Sequence, residues 1–152
     1  MYLLNTKQTI HVLNSKRRFI LTLLTLVPLF IASCSQSVRF AVSSVVPSAE
    51  GSVKLTKDEN QNKMIVMKVR NLVDPSRLTP AKKLYLVWMQ TKNDGNKNLG
   101  RLVSSEAYFS TERNAKFTSV TTFDPVKIFI TAEDKADATN PSGVTVLTTN
   151  EF

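Results

Sequence analysis

A single cysteine, Cys34, and a single histidine, His11, stand in a chain of 152 residues. One cysteine closes no internal disulfide, and one of each builds no Cys/His zinc site. Acidic residues are missing altogether before Cys34. The longest apolar run, Phe19 to Ala32, is interrupted only by Thr22, Thr25 and Pro28. As a helix it would rise about 21 Å, short of the roughly 20 residues that span a bilayer core. The length fits one domain and excludes a large multidomain enzyme. What is present suffices for a core: hydrophobic residues make up 42% of the chain and aromatics 8%, which argues against global disorder.

The front of the chain reads as an address. Lys7, Lys16, Arg17 and Arg18 precede the short apolar run, and small residues follow it, the order of a secretory signal. The run closes on Ile31-Ala32-Ser33-Cys34. This segment resembles the lipobox of bacterial lipoproteins: a branched apolar residue, two small residues around which the peptidase closes, then cysteine. The resemblance implies thioether attachment of lipid to Cys34, cleavage before it, and acylation, palmitate included, of the new amine. Several acyl chains would hold the protein stably to a bilayer, because one chain binds only marginally. No acid follows Cys34 directly, which under the common sorting rule implies the outer membrane; the broader expectation is a lipid anchor in the cell envelope, on the periplasmic side of a membrane or in the outer membrane. Cleavage removes 33 of the 152 residues, leaving 119, and takes four of the twenty basic residues with it. The formal charge falls from +8 to +4, with 16 basic and 12 acidic residues remaining. His11 is lost as well.

The remainder predicts an all-β domain. Short runs rich in Val, Ile, Thr and aromatics alternate with turn residues, and no long helical period occurs. Strands are expected over 39–46, 51–57, 64–70, 84–89, 99–103, 116–123, 126–131 and 144–149, with a further short strand or helical turn within 104–115. Ile65, Met67 and Val69 share one face, with Lys68 and Arg70 on the other. Asp58 to Asn62 makes a polar turn, so 51–57 and 64–70 read as a hairpin. Leu84 to Met89 is apolar on both faces, the mark of a strand covered on both sides. Asn93-Asp94-Gly95 is a turn signal, and Asp74-Pro75 and Thr79-Pro80 bracket a loop. The expected fold is an immunoglobulin-like β-sandwich of about seven or eight strands after a cleaved signal helix. The expected organisation is a signal peptide over 1–33, the lipidated Cys34 and a tether over 34–49 (Ser35, Gln36 and Ser37 being small and polar), and the sandwich over 50–152.

Three segments together resemble the extracytoplasmic C-terminal domain of anti-sigma factors of the anti-sigma-K type. They are Val66 to Leu72 leading to Tyr85-Leu86-Val87-Trp88; Asn93-Asp94-Gly95 with Leu99-Gly100-Arg101-Leu102; and Val126 to Glu133 with Asn140-Pro141-Ser142-Gly143-Val144-Thr145-Val146-Leu147. The resemblance covers about residues 50 to 149 and implies a sandwich and an envelope location. It does not carry over sigma-factor binding, because only 18 residues precede the apolar run.

Candidate sites are few. Trp88 and Tyr85 either line a groove or fill the core, with Trp88 expected between the sheets and Tyr85, on the opposite face, partly exposed. Asp134, Asp137, Thr139 and Asn140 gather oxygen ligands in one loop but match no calcium-loop spacing, so no metal is expected. Glu106 and Glu112 are the carboxylate pair considered for glycoside chemistry. Without histidine or a free thiol the usual nucleophilic and zinc mechanisms are excluded, and neither an enzyme nor a cofactor is expected. Lys82 and Lys83, with Arg77, form a basic patch too small for nucleic acid. The expected role is a membrane-anchored, non-catalytic binding, interaction or sensing module. Its partners are the bilayer, through acylated Cys34, and an envelope protein. The alternative is a regulatory envelope component acting through a separate transmembrane partner.

Overall fold

The computed structural model describes residues 36–106 and 113–152. Residues 1–35, with the expected signal segment, the lipobox-like run Ile31-Ala32-Ser33 and Cys34, lie outside the described residues. The described residues form nine strands: β1 (Gln36–Arg39), β2 (Glu50–Lys57), β3 (Lys63–Arg70), β4 (Leu84–Thr91), β5 (Asn96–Leu102), β6 (Ser104–Glu106), β7 (Arg113–Thr121), β8 (Pro125–Glu133) and β9 (Val144–Thr148). They form two antiparallel sheets, ordered β1-β2-β3-β7-β6 and β5-β4-β8-β9. From β2 onward this is the strand order of an immunoglobulin-like sandwich with one additional strand beside the second sheet.

The core lies between the sheets. Val53, Ile65, Met67 and Val69 of the first sheet meet Tyr85, Val87, Met89, Ile128 and Ile130 of the second in one buried cluster. All of them come from one parity of their strands, as a two-residue period requires. Burying each such side chain stabilises the fold by about 1.5–3 kcal/mol. The second sheet is also covered on its outer face, where Leu84, Leu86, Trp88 and Phe129 form a separate buried cluster with Ala138 packed against it. The continuous apolar run of β4 thus fills two layers, one per parity.

Strands that change sheet lie at both lateral sides of the sandwich. After pairing with β2, the chain leaves β1 at Phe40, which bridges to Thr149 beyond β9, and the Ala41 N–H donates to the Thr148 carbonyl at 2.8 Å. On the other side β5 ends at Leu102, and after Val103 the chain joins the first sheet as β6. Crossing strands of this kind occupy backbone groups that open edges would offer to other chains.

The hairpin of β2 and β3 forms in full register, from Glu50 opposite Arg70 to Lys57 opposite Lys63. Its turn is tied by Asp58, whose Oδ1 accepts from the N–H groups of Asn60 at 2.9 Å and Asn62 at 2.8 Å. The Asn93-Asp94-Gly95 signal also holds. Gly95 takes φ +69°, and the Thr91 hydroxyl accepts from the Asp94 N–H at 2.9 Å.

Two boundaries at the start of the domain differ from the sequence reading. The strand expected over 39–46 does not continue past Arg39: the buried Ser43 hydroxyl accepts from the N–H groups of Val45 at 3.2 Å and Val46 at 2.9 Å. A local turn thereby takes up donors that a ladder would use. The first strand lies earlier, so Gln36 and Ser37, read as tether, pair with Leu55 and Lys54. Backbone pairing at a sheet edge does not require apolar side chains. The further short element expected within 104–115 is a strand, β6, which brings the count among the described residues to nine.

Candidate functional site

Tyr85 and Trp88 lie on opposite faces of β4, as their spacing predicts, and both are buried, but it is Tyr85 rather than Trp88 that lies between the sheets. Tyr85 is buried between the sheets, 4% exposed, and donates its hydroxyl to the Val73 carbonyl at 3.0 Å. Burial, with the nearby Asp74 charge adding to it, pushes its phenol up to about 12 against the opposing influence of Arg113. Trp88 is fully buried on the outer face of the second sheet, stacked on Phe129 with ring centroids 6.3 Å apart. Sequence parity separates the two residues but does not say which parity faces the partner sheet.

What covers Trp88 is the connection between β8 and β9, residues 134–143. Its anchor is Glu133, 3% exposed. Glu133 Oε1 accepts from Thr131 Oγ1 at 2.8 Å, the Ser142 N–H at 3.0 Å and the Gly143 N–H at 2.9 Å. Oε2 accepts from the Ser142 hydroxyl at 2.8 Å. Burial is the largest single influence on this carboxyl and would raise its pKa. The bonds from Gly143, Thr131 and Ser142 together outweigh it and hold the group below the usual range. Asn98 of β5 adds two bonds from its amide, to the carbonyls of Ala136 at 3.2 Å and Ala138 at 2.9 Å. The polar groups in the connection therefore serve as clamps. Both oxygens of Glu133 are engaged by protein donors, three on Oε1 and one on Oε2.

The remaining sequence candidates are dispersed. Asp134 pairs with Lys82 at 2.7 Å, while Asp137, Thr139 and Asn140 are exposed on the same connection. No three His, Cys, Asp or Glu side chains gather among the described residues. Lys82 is thus engaged by Asp134, and the exposed Lys83 uses its backbone N–H on the Glu133 carbonyl at 3.1 Å. Arg77 closes a 3-10 turn, Pro75–Arg77, capped by Asp74, whose Oδ1 accepts from the Ser76 N–H at 3.0 Å and the Ser76 hydroxyl at 2.6 Å. These two bonds, with a weaker contribution from Arg113, hold the Asp74 carboxyl below its ordinary range. Glu106 pairs with Arg113 in the strand register, and Glu112 lies outside the described residues, as do Ile31, Ala32, Ser33 and Cys34.

The basic residues that do gather are on the outward face of the first sheet. Strand register places Arg39, Ser52, Lys68 and Lys116 in one row across β1, β2, β3 and β7. Lys54 and Arg70 lie on the neighbouring rows of the same face, and all five basic side chains are exposed. Among the described residues Glu50, 3.4 Å from Arg70, is the acidic side chain that shares it. A shallow concavity of about 700 Å³ opens here, lined among others by Arg39, Phe40, Val42, Lys68, Arg70 and Lys116. The alternation of Lys68 and Arg70 against Ile65, Met67 and Val69 is readable in the sequence. The alignment of that strand with Arg39 and Lys116 requires the register.

No family model matches the chain, and no curated protein or solved structure matches it either.

Proposed function

We propose that the chain is a cell-envelope lipoprotein, held to a membrane through acylated Cys34, whose β-sandwich is a non-catalytic binding, interaction or sensing module. The carrying observation is the run Ile31-Ala32-Ser33-Cys34 after a basic segment and a short apolar stretch, with the chain's one cysteine at the position the lipid would take. The domain after it supports the binding half of the reading. Its buried carboxylate is closed by four donated hydrogen bonds, and its sheets are joined by crossing strands. Such a domain offers surfaces and loops for recognition rather than a cleft for chemistry.

The register also orders the loops. β1 enters beside Leu55, at the end of the sandwich that carries the 58–62, 92–95 and 122–124 turns. The longer connections 40–49, 71–83 and 134–143 lie at the opposite end. A lipid on Cys34 would therefore display the elaborated loops away from the anchored end of β1.

Labelling cells with a palmitate analogue tests the reading. The wild-type protein is expected to take up label and fractionate with membranes, and Cys34→Ala is expected to lose both. An unlabelled wild-type protein would sink the lipoprotein assignment. Cross-linking in intact envelopes addresses the module. Reproducible capture of a transmembrane protein would favour the regulatory reading that the anti-sigma-like segments suggest.

A further inference from the structure

Resting on the lipoprotein reading, we infer that the outward face of the first sheet is a membrane-docking surface. It lays the domain onto the anionic, phosphate-bearing headgroups of the bilayer that holds its lipid.

Charge distribution carries the first part of the argument. After Cys34 the chain has an excess of four basic residues. Among the described residues the outward face carries five basic side chains against Glu50, the same excess. Eleven basic and eleven acidic residues are left for the rest of the chain after Cys34. The net charge of the domain is thus concentrated on one side.

The arrangement is also unfavourable for the fold itself. Lys68 and Lys116 are direct cross-strand partners, and the next residue in their row is Ser52, then Arg39. Like charges directly opposite each other destabilise a sheet. Protection of an open edge is one ordinary reason to place lysines on strands. It does not apply here, because β3 and β7 are interior strands of the first sheet. A row of this kind, about 15 Å long at normal strand spacing, gains its counter-charge from outside the domain.

Two further features select a lipid surface as the partner. Apolar side chains accompany the charges: Val42, 88% exposed, lines the concavity, and Val120, 51% exposed, lies on the outward parity of β7 opposite Met64. Exposed aliphatic groups among basic residues suit the headgroup–acyl boundary better than a fully hydrated polyanion. The proposed anchor residue precedes β1 by two positions, and β1 is the edge strand of this same sheet. A tether this short keeps the face at high effective concentration near the bilayer, so weak electrostatic contacts suffice to dock it.

The test uses the lipidated protein purified from membranes and reconstituted into vesicles of phosphatidylcholine alone or mixed with phosphatidylglycerol. Amine acetylation is followed residue by residue by mass spectrometry. In the anionic vesicles Lys54, Lys68 and Lys116 are expected to react at least about fivefold more slowly than in the neutral ones, with the difference removed by high salt. Lys135, exposed on the 134–143 connection at the end away from the anchor, is expected to react equally in both. The double variant Lys68→Glu/Lys116→Glu should stay on the vesicles through its lipid while Lys54 loses protection. Equal reactivity of the face in both vesicles would overturn the proposal. So would protection in detergent by inorganic polyphosphate as strong as that given by anionic vesicles, because the face would then read a soluble polyanion. Intact mass separates the two readings. A chain without acyl groups defeats the lipoprotein reading alone, and the unlipidated protein added to the same vesicles still tests the face.

Discussion

The indole Nε1 of Trp88 donates to Thr131 Oγ1 at 2.8 Å, and Thr131 donates onward to Glu133 Oε1 at 2.8 Å. One hydroxyl thus couples the aromatic cluster on the outer face of the second sheet to the carboxylate that clamps the connection above it. Trp88 and Thr131 are 43 residues apart in the chain, on adjacent strands β4 and β8. The indole N–H would otherwise be a buried donor without a partner, costing about 1–3 kcal/mol. The polar relay is what allows a tryptophan to be fully buried at this position.

Glu133→Gln should destabilise the domain by about 2–3 kcal/mol at neutral pH, because a neutral amide has one acceptor oxygen, whereas the carboxylate has two acceptor oxygens that receive four donated bonds. The pH dependence has a definite sign. The folded carboxyl lies below its ordinary value of 4.5, so between the two values the unfolded chain binds more protons than the folded one. The stabilisation is complete above 4.5 and is lost as pH falls through the folded value. Urea unfolding followed by the fluorescence of Trp88, the chain's one tryptophan, checks this. The wild type is expected to lose more stability than the variant on acidification, and parallel losses would remove Glu133 from the account.

Gly143→Ala probes the same clamp from the other side. A Cβ at position 143 would land on the Ala132 carbonyl oxygen, 2.8 Å from the carbonyl carbon and 3.0 Å from Glu133 Oε2. The obstacle is backbone of a central strand, which has little freedom to yield. The substitution is expected to cost about 2–4 kcal/mol and to lower Tm by roughly 10 °C or more in thermal melts. Gly95→Ala in the 92–95 turn meets no atom within 4 Å, and its expected cost comes from φ +69° alone, about 1 kcal/mol. A Gly143→Ala protein as stable as Gly95→Ala would contradict the packing described here.

Much of this was legible before the structure, and what was not has a physical reason. Alternation in β3 separated Ile65, Met67 and Val69 from Lys68 and Arg70, because a strand has a strict two-residue period. The double-sided apolar run of β4 announced that both faces are covered. The identity of the cover was hidden, since the connection over Trp88 is polar in composition and contributes Ala138 as its apolar contact. Val45 and Val46 looked like strand residues because propensity does not register the Ser43 hydroxyl that turns their backbone away. Glu133 falls beyond the strand expected over 126–131, and its sequence neighbours do not mark it as buried. Its burial depends on Thr131, Ser142 and Gly143 converging in space. The basic face was half visible in β3 and complete only when register aligned Lys116 and Arg39 with Lys68.

Tyr85→Phe gives a prediction at the opposite end of the pH scale. The phenol reaches from the inter-sheet core to the Val73 carbonyl at 3.0 Å, tying β4 to the 71–83 connection. Removing the hydroxyl leaves that carbonyl short of a partner, at an expected cost of about 1 kcal/mol near neutral pH. In the folded protein the phenol ionises at about 12 instead of 10, chiefly because burial opposes the charged form. Between those values the folded chain holds a proton that the unfolded chain has released, so stability falls as pH rises. The wild-type advantage over Tyr85→Phe should therefore be constant below pH 10 and shrink steadily above it. Denaturant unfolding of both proteins across that range measures the difference directly. Two curves that remain parallel through the whole interval would show that Tyr85 is not buried against the Val73 carbonyl as described.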